Sequence, residues 1–121
     1  MSERRIERLN SLLKEVISDV IRKSVKDPHL PELITVTKVE VTRDLSYAKV
    51  YVSVIESQRR ETAIKVLNRA AGFIAQLASK EIILRYFPSL TFYLDTSLDD
   101  QIRIEQLIQE IEEEKKRRPA S

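Results

Sequence analysis

Apolar residues recur along residues 3–25 at the spacing of a single helical face: Ile6, Leu9, Leu13, Val16, Ile17 and Val20. Arg4, Arg8 and Arg22 fall near one another on the opposite face. Asp27-Pro28-His29-Leu30-Pro31 must end this helix, because the residue before a proline is pushed out of helical backbone. From Leu33 to Thr42 the chain turns to Thr, Val and Ile, which predicts a strand. Its apolar phase shifts, with Ile34 and Val36 even but Val39 and Val41 odd, and a bulge near Thr37 reconciles the two. Arg43-Asp44-Leu45-Ser46 then turns the chain. The next strand alternates without interruption, Ala48, Val50, Val52 and Val54 facing a core and Tyr47, Lys49, Tyr51 and Ser53 facing away.

Ser57 is placed to N-cap a helix over about Gln58–Ala71, and a third helix is expected from Gly72 to about Tyr86, where Pro88 stops it. Leu90–Leu94 reads as a short third strand, with Leu90, Phe92 and Leu94 on one side. Thr96 or Ser97 is expected to cap a last helix, Ser97-x-x-Asp100 having the form of a capping box. Ile104, Leu107, Ile108 and Ile111 supply its apolar stripe. The order α-β-β-α-α-β-α predicts a single α+β domain, a three-stranded sheet whose apolar face is covered by helices. Its core is expected over about residues 3–111, with 112–121 a charged tail.

Gly72 is the only glycine in the chain, and it lies inside the longest apolar-periodic stretch. Glycine inside a helix costs roughly 1 kcal/mol relative to alanine, so the position needs a reason. Either another backbone passes close by, as the small run Ala70-Ala71-Gly72 suggests, or the helix bends there and presents free N–H groups to an anion. Spacing alone leaves both open.

Charge makes this stretch more informative. The chain carries 21 Lys and Arg against 19 Asp and Glu, a net +2. Residues 57–86 hold Arg59, Arg60, Lys65, Arg69, Lys80 and Arg85 against Glu61 and Glu81, so this window carries +4 and the remainder −2. Lys65 and Arg69 form a like-charge i,i+4 pair; Glu61 relieves Lys65, and nothing local relieves Arg69. Cysteine is absent, which fits a reducing cytosol, and the N-terminus has no apolar targeting segment. No apolar run approaches the roughly 20 residues that span a bilayer. The reading is a cytoplasmic protein without a membrane partner.

Enzyme readings are weak. His29, the sole histidine, sits in a proline-braced loop with no orienting partner given by motif. Soft or imidazole metal ligands are missing, and one glycine excludes a phosphate-binding Walker loop. Asp95, Asp99 and Asp100 have the chemistry for a hard cation, but at a helix start they more simply complement the dipole. No cofactor, metal or small-molecule substrate is expected. In the tail, Glu112, Glu113 and Glu114 precede Lys116, Arg117 and Arg118 by four residues, the favoured orientation for helical ion pairs, which reads as a solvated helix end. Arg43, Tyr47 and Lys49, on the turn and the outer strand face, are second candidates for contact with nucleic acid, the tyrosines by stacking on unpaired bases. Plain cross-strand pairing on an exposed face is nearly as good an account of them.

A glycine between two consecutive helices in the order α-β-β-α-α-β resembles a type II KH domain, which clamps nucleic-acid backbone at a Gly-x-x-Gly loop. Ala70-Ala71-Gly72 departs from that loop and resembles instead the Ala-x-Gly helix-kink-helix of the ribosome-binding factor A family. RRIERLNSLLKEVISDVI near the N-terminus, Asp27-Pro28, VTRDLSYAKVYVSV at 41–54 and LRYFPSLTFYLDTSLDDQIRIEQLI at 84–108 agree with that family, over nearly the whole chain. The resemblance implies a non-enzymatic factor, expected to be monomeric, that binds the free 30S subunit and its 16S rRNA. It further implies a part in late maturation, in processing of the 16S 5′ end and in growth in the cold. It places the kink at Ala70 and Gly72, flanked by Arg69 and Lys65; with Ala71, Arg59, Arg60, Arg43, Tyr47 and Lys49 these are the expected RNA-binding residues. The competing reading is a protein–protein adaptor that docks a partner helix on the small-residue corner.

Overall fold

A computed structural model describes residues 2–31 and 33–117. The first apolar stripe forms helix α1, Glu3–Ser24, whose first turn is capped by Ser2: its hydroxyl accepts from the Arg5 N–H at 3.3 Å. Leu13, Ile17, Val20 and Ile21 are buried along one face. Strand β1, Ile34–Val41, pairs antiparallel with β2, Tyr47–Val54. The register runs from Val36↔Val52 to Lys38↔Tyr51 and skips Thr37, so the bulge lies at the expected residue. It lets Val36 and Val39 both face the core.

Strand β3, Ser89–Leu94, lies parallel to β2 in the sheet order β1-β2-β3, with Val50 opposite Phe92 and Tyr51 opposite Tyr93. Parallel neighbours require a long crossover. Here it consists of a 3₁₀ turn at Ser57–Arg59, helix α2 at Arg60–Arg69 and helix α3 at Ala71–Ser79. Helices α1–α3 cover one face of the sheet and enclose Leu13, Ile17, Val50, Val52, Leu67, Ile74 and Phe92. Burying each such side chain contributes about 1.5–3 kcal/mol. The other face, bearing Tyr47, Lys49, Thr91 and Tyr93, is exposed.

Four expectations are corrected. Helix α3 ends at Ser79, well short of Tyr86; Lys80 and Glu81 donate to Leu77 and Ala78 in tight three-residue turns as the chain begins its return to β3. Ile82 continues the apolar period and is buried, but from irregular backbone. Ser57 caps nothing, because the 3₁₀ turn intervenes and α2 starts without a side-chain cap. The Ser97–Asp100 capping box does not form. The Ser97 N–H and hydroxyl both donate to Asp95 Oδ1, at 2.9 and 2.5 Å, and Asp100 pairs with Thr96 instead. Finally, helix α4, Ser97–Arg117, covers no core: it has no buried residue, and Ile104, Leu107, Ile108 and Ile111 are all exposed. The expected tail is thus helical through 117; of its ion pairs Glu113–Arg117 is present at 3.9 Å, and Arg118 lies outside the described residues.

Candidate nucleic-acid interface

The corner between α2 and α3 is built by Ala70. Its N–H gives the last α2 bond, to Val66 at 3.0 Å, and its carbonyl receives the first α3 bond, from Ile74 at 2.9 Å. With φ −88° and ψ 1° it lies outside helical geometry, and the helical ladder lapses across it. The N–H groups of the first α3 turn, at Ala71, Gly72 and Phe73, therefore fall at a new helix start. Gly72 itself does not make the break. It has no positive φ, sits inside α3, and a Cβ there would meet nothing within 4 Å. That overturns the close passage of another backbone within this molecule; the space beside Gly72 is open to solvent.

Of the six cations in the basic window, most have partners of their own. Arg59 pairs with Glu56 at 3.1 Å and Lys65 with Glu61 at 3.2 Å, both exposed. Arg60 is withdrawn from the surface set. Its Nε donates to the Val54 carbonyl at 2.9 Å, and its guanidinium holds both oxygens of Asp99 at 2.7 and 3.2 Å. Arg85 lies 5.5 Å from the Tyr86 ring centre. Arg69, the last residue of α2, is exposed and makes no ion pair among the described residues.

A cleft of about 420 Å³ is lined by Val66, Arg69, Ala70 and Phe73 from the corner and by Ser24 at the end of α1 with Lys26 and Asp27 beyond it. Phe73 is half exposed there. The Asp27 carboxylate also lines it, held below the ordinary carboxylate range chiefly by the His29 N–H at 2.8 Å, then by the His29 ring at 3.1 Å and by the charge of Arg69. His29 does therefore have a carboxylate partner, contrary to the sequence reading, but both groups serve a local turn and no hydroxyl joins them among the described residues. A wider cavity of about 800 Å³, lined by Ile21, Leu30, Pro31 and Ile34, takes in Arg59 but none of the other candidates.

Two groups of candidates are kept apart by the sheet. Arg69, Ala70, Ala71, Gly72 and Lys65 gather at the helical corner, whereas Tyr47 and Lys49 point from the uncovered face and Arg43 sits on the turn before β2. The acidic trio is dispersed by its bonds: Asp95 to Thr37 and Ser97, Asp99 to Arg60, Asp100 to Thr96. No group of three His, Asp or Glu placed to hold a metal ion exists among the described residues, and no described helix is long and apolar enough to cross a membrane.

Sequence reading missed Asn68. Its Oδ1 accepts from the Phe92 N–H at 2.7 Å and its Nδ2 donates to the Phe92 carbonyl at 3.1 Å, which satisfies the outer edge of β3 beneath the corner. Nothing local marks an asparagine for that role.

The model of a family described as ribosome-binding factor A matches residues 5–108. The ribosome-binding factor A of Protochlamydia amoebophila is 52% identical, over 98% of this chain and 91% of its own. That of Chlamydia pneumoniae is 49% identical, over 93% and 96%. Among solved structures, crystalline ribosome-binding factor A of Thermus thermophilus matches with a TM-score of 0.66 at 28% identity, over 74% of this chain and 94% of its own. A homology model of the Thermus thermophilus factor, fitted into a cryo-EM map of its 30S complex, matches with a TM-score of 0.61 at 26% identity, over 72% and 91%.

Proposed function

The chain belongs to the ribosome-binding factor A family, and on that premise we propose that it is a non-enzymatic cytoplasmic factor that binds the free 30S subunit through 16S rRNA at the α2–α3 corner. The single observation that carries the placement is Arg69: a cation that makes no ion pair among the described residues, at a helix break whose next amides start a new helix. Guanidinium and helix start attract the same ligand, a phosphate. Lys65 and Arg59 add charge but must exchange their own glutamates, so they contribute less. Arg60 is not part of this interface.

Contacts of this kind position a protein on folded RNA by backbone and shape, without reading sequence. The family resemblance supports a role late in subunit maturation, in 16S 5′-end processing and in growth in the cold. The test is co-sedimentation with small subunits, large subunits and whole ribosomes. Arg69→Glu is expected to weaken small-subunit binding at least tenfold while the circular dichroism spectrum stays that of the parent. Unchanged binding would place the site elsewhere.

A further inference from the structure

The open face of the sheet carries three of the four tyrosines in the chain. Tyr47 and Tyr51 project from β2 on the side away from the core, with Lys49 between them, and the register sets Tyr93 of β3 directly opposite Tyr51. The Tyr51 and Tyr93 ring centres are 5.7 Å apart at an angle of 31°, and Lys49 Nζ lies 6.0 Å from the centre of the Tyr93 ring. Tyr47 remains 62% exposed and Tyr93 41%. Ser89 and Thr91 complete the β3 side, so the β2–β3 face holds aromatic rings, hydroxyls and an ammonium but no aliphatic side chain. On the β1 side Lys38 is neutralised by Glu40 at 2.5 Å, whereas neither Lys49 nor Arg43 makes an ion pair among the described residues.

We propose that this face is a second RNA surface, taking unpaired bases of a single strand by stacking on Tyr93, Tyr51 and Tyr47, with Lys49 meeting the adjoining phosphate. An apolar protein segment would find no aliphatic surface to bury against here, whereas every unpaired base offers a π-face and every nucleotide a negative charge. A duplex hides its base faces and does not fit. The proposal takes its ligand from the reading of the chain as an rRNA binder, but not the α2–α3 corner, which lies on the other side of the sheet.

The chain contains no tryptophan, so its intrinsic fluorescence reports the tyrosines directly. Octauridylate is expected to quench that fluorescence, and an RNA duplex of equal length is not. By anisotropy of labelled octauridylate, Tyr93→Ala should weaken binding roughly tenfold, the size of one lost base–aromatic stack, and Tyr93→Phe should restore it. Lys49→Gln should lower affinity and flatten the salt dependence. Arg69→Glu should bind octauridylate as the parent does while losing the small subunit, so the two sites fail separately. Absent quenching, equal binding of the duplex, or indifference to Tyr93→Ala would overturn the proposal. So would a Tyr93→Ala protein that loses the small subunit although the parent never binds octauridylate, since that result assigns the face to a protein partner.

Discussion

At the break between α2 and α3 the unusual backbone belongs to Ala70, while the neighbouring glycine is an ordinary helical residue with empty space beside it. The one left-handed residue among those described is Leu45, at φ 61° in the β1–β2 turn, where glycine would be the easy choice. The sole glycine is thus not explained by this molecule's own conformation. Gly72→Ala is therefore expected to stabilise the fold by up to about 1 kcal/mol in denaturant unfolding, through helix propensity and a less flexible unfolded chain. The same variant should bind the small subunit more weakly if the open space admits close approach of RNA backbone. The sequence marked this corner at Ala70 and Gly72 and left open whether the glycine bends the chain; the structure puts the departure at Ala70, because propensity marks the costly residue and not the one whose ψ leaves the helix. Asn68 shows the opposite failure, since its whole role is a contact 24 positions along the chain.

Among the elements, β1, β2 and the bulge at Thr37 followed from alternation alone, because the two-residue period fixes which side chains face the core. Helix α4 followed as an element, but its exposure did not. Its apolar stripe predicts burial, but α1, α2 and α3 already fill the core face of the sheet, and α4 stands clear of it. Its start is held by polar contacts: Asp95 to Thr37 and Ser97, and Asp99 to Arg60. Arg60→Gln should leave global stability within about 1 kcal/mol, as for partly exposed ion pairs, yet speed amide exchange in the first turns of α4. Asp95 gives this junction a pH dependence. The Ser97 hydroxyl, then the Thr37 hydroxyl and the Ser97 N–H, favour its ionised form and hold it below the ordinary carboxylate value of about 3.9. A lowered folded value makes its stabilisation complete above about pH 4 and lost as pH falls through the folded value. Thermal unfolding between about pH 5 and pH 2 should accordingly decline less steeply in Asp95→Asn than in the parent.

Over the whole molecule, a net charge of +2 conceals its arrangement. Among the described residues, internal pairing leaves few free cations in the basic window, Arg69 at the helical corner foremost; Lys49, outside that window, lies on the far face of the sheet. Small-subunit binding should show a modest salt slope, about −0.7 to −0.9 per phosphate neutralised, and Arg69→Glu should reduce its magnitude by about one such step. A flat log K against log[salt] would favour the adaptor reading instead. The periodicity of the chain by itself determined the order of elements and the core positions of α1, β2 and β3, because burial repeats with the geometry of each element; the helical corner was marked by the lone glycine and not by the period. Only the tertiary structure decided which cations stay free, that Asn68 closes the β3 edge, that α4 is left uncovered and that three tyrosines share one open face. Those outcomes depend on groups far apart in the chain meeting or failing to meet, and a one-dimensional pattern carries no record of such encounters.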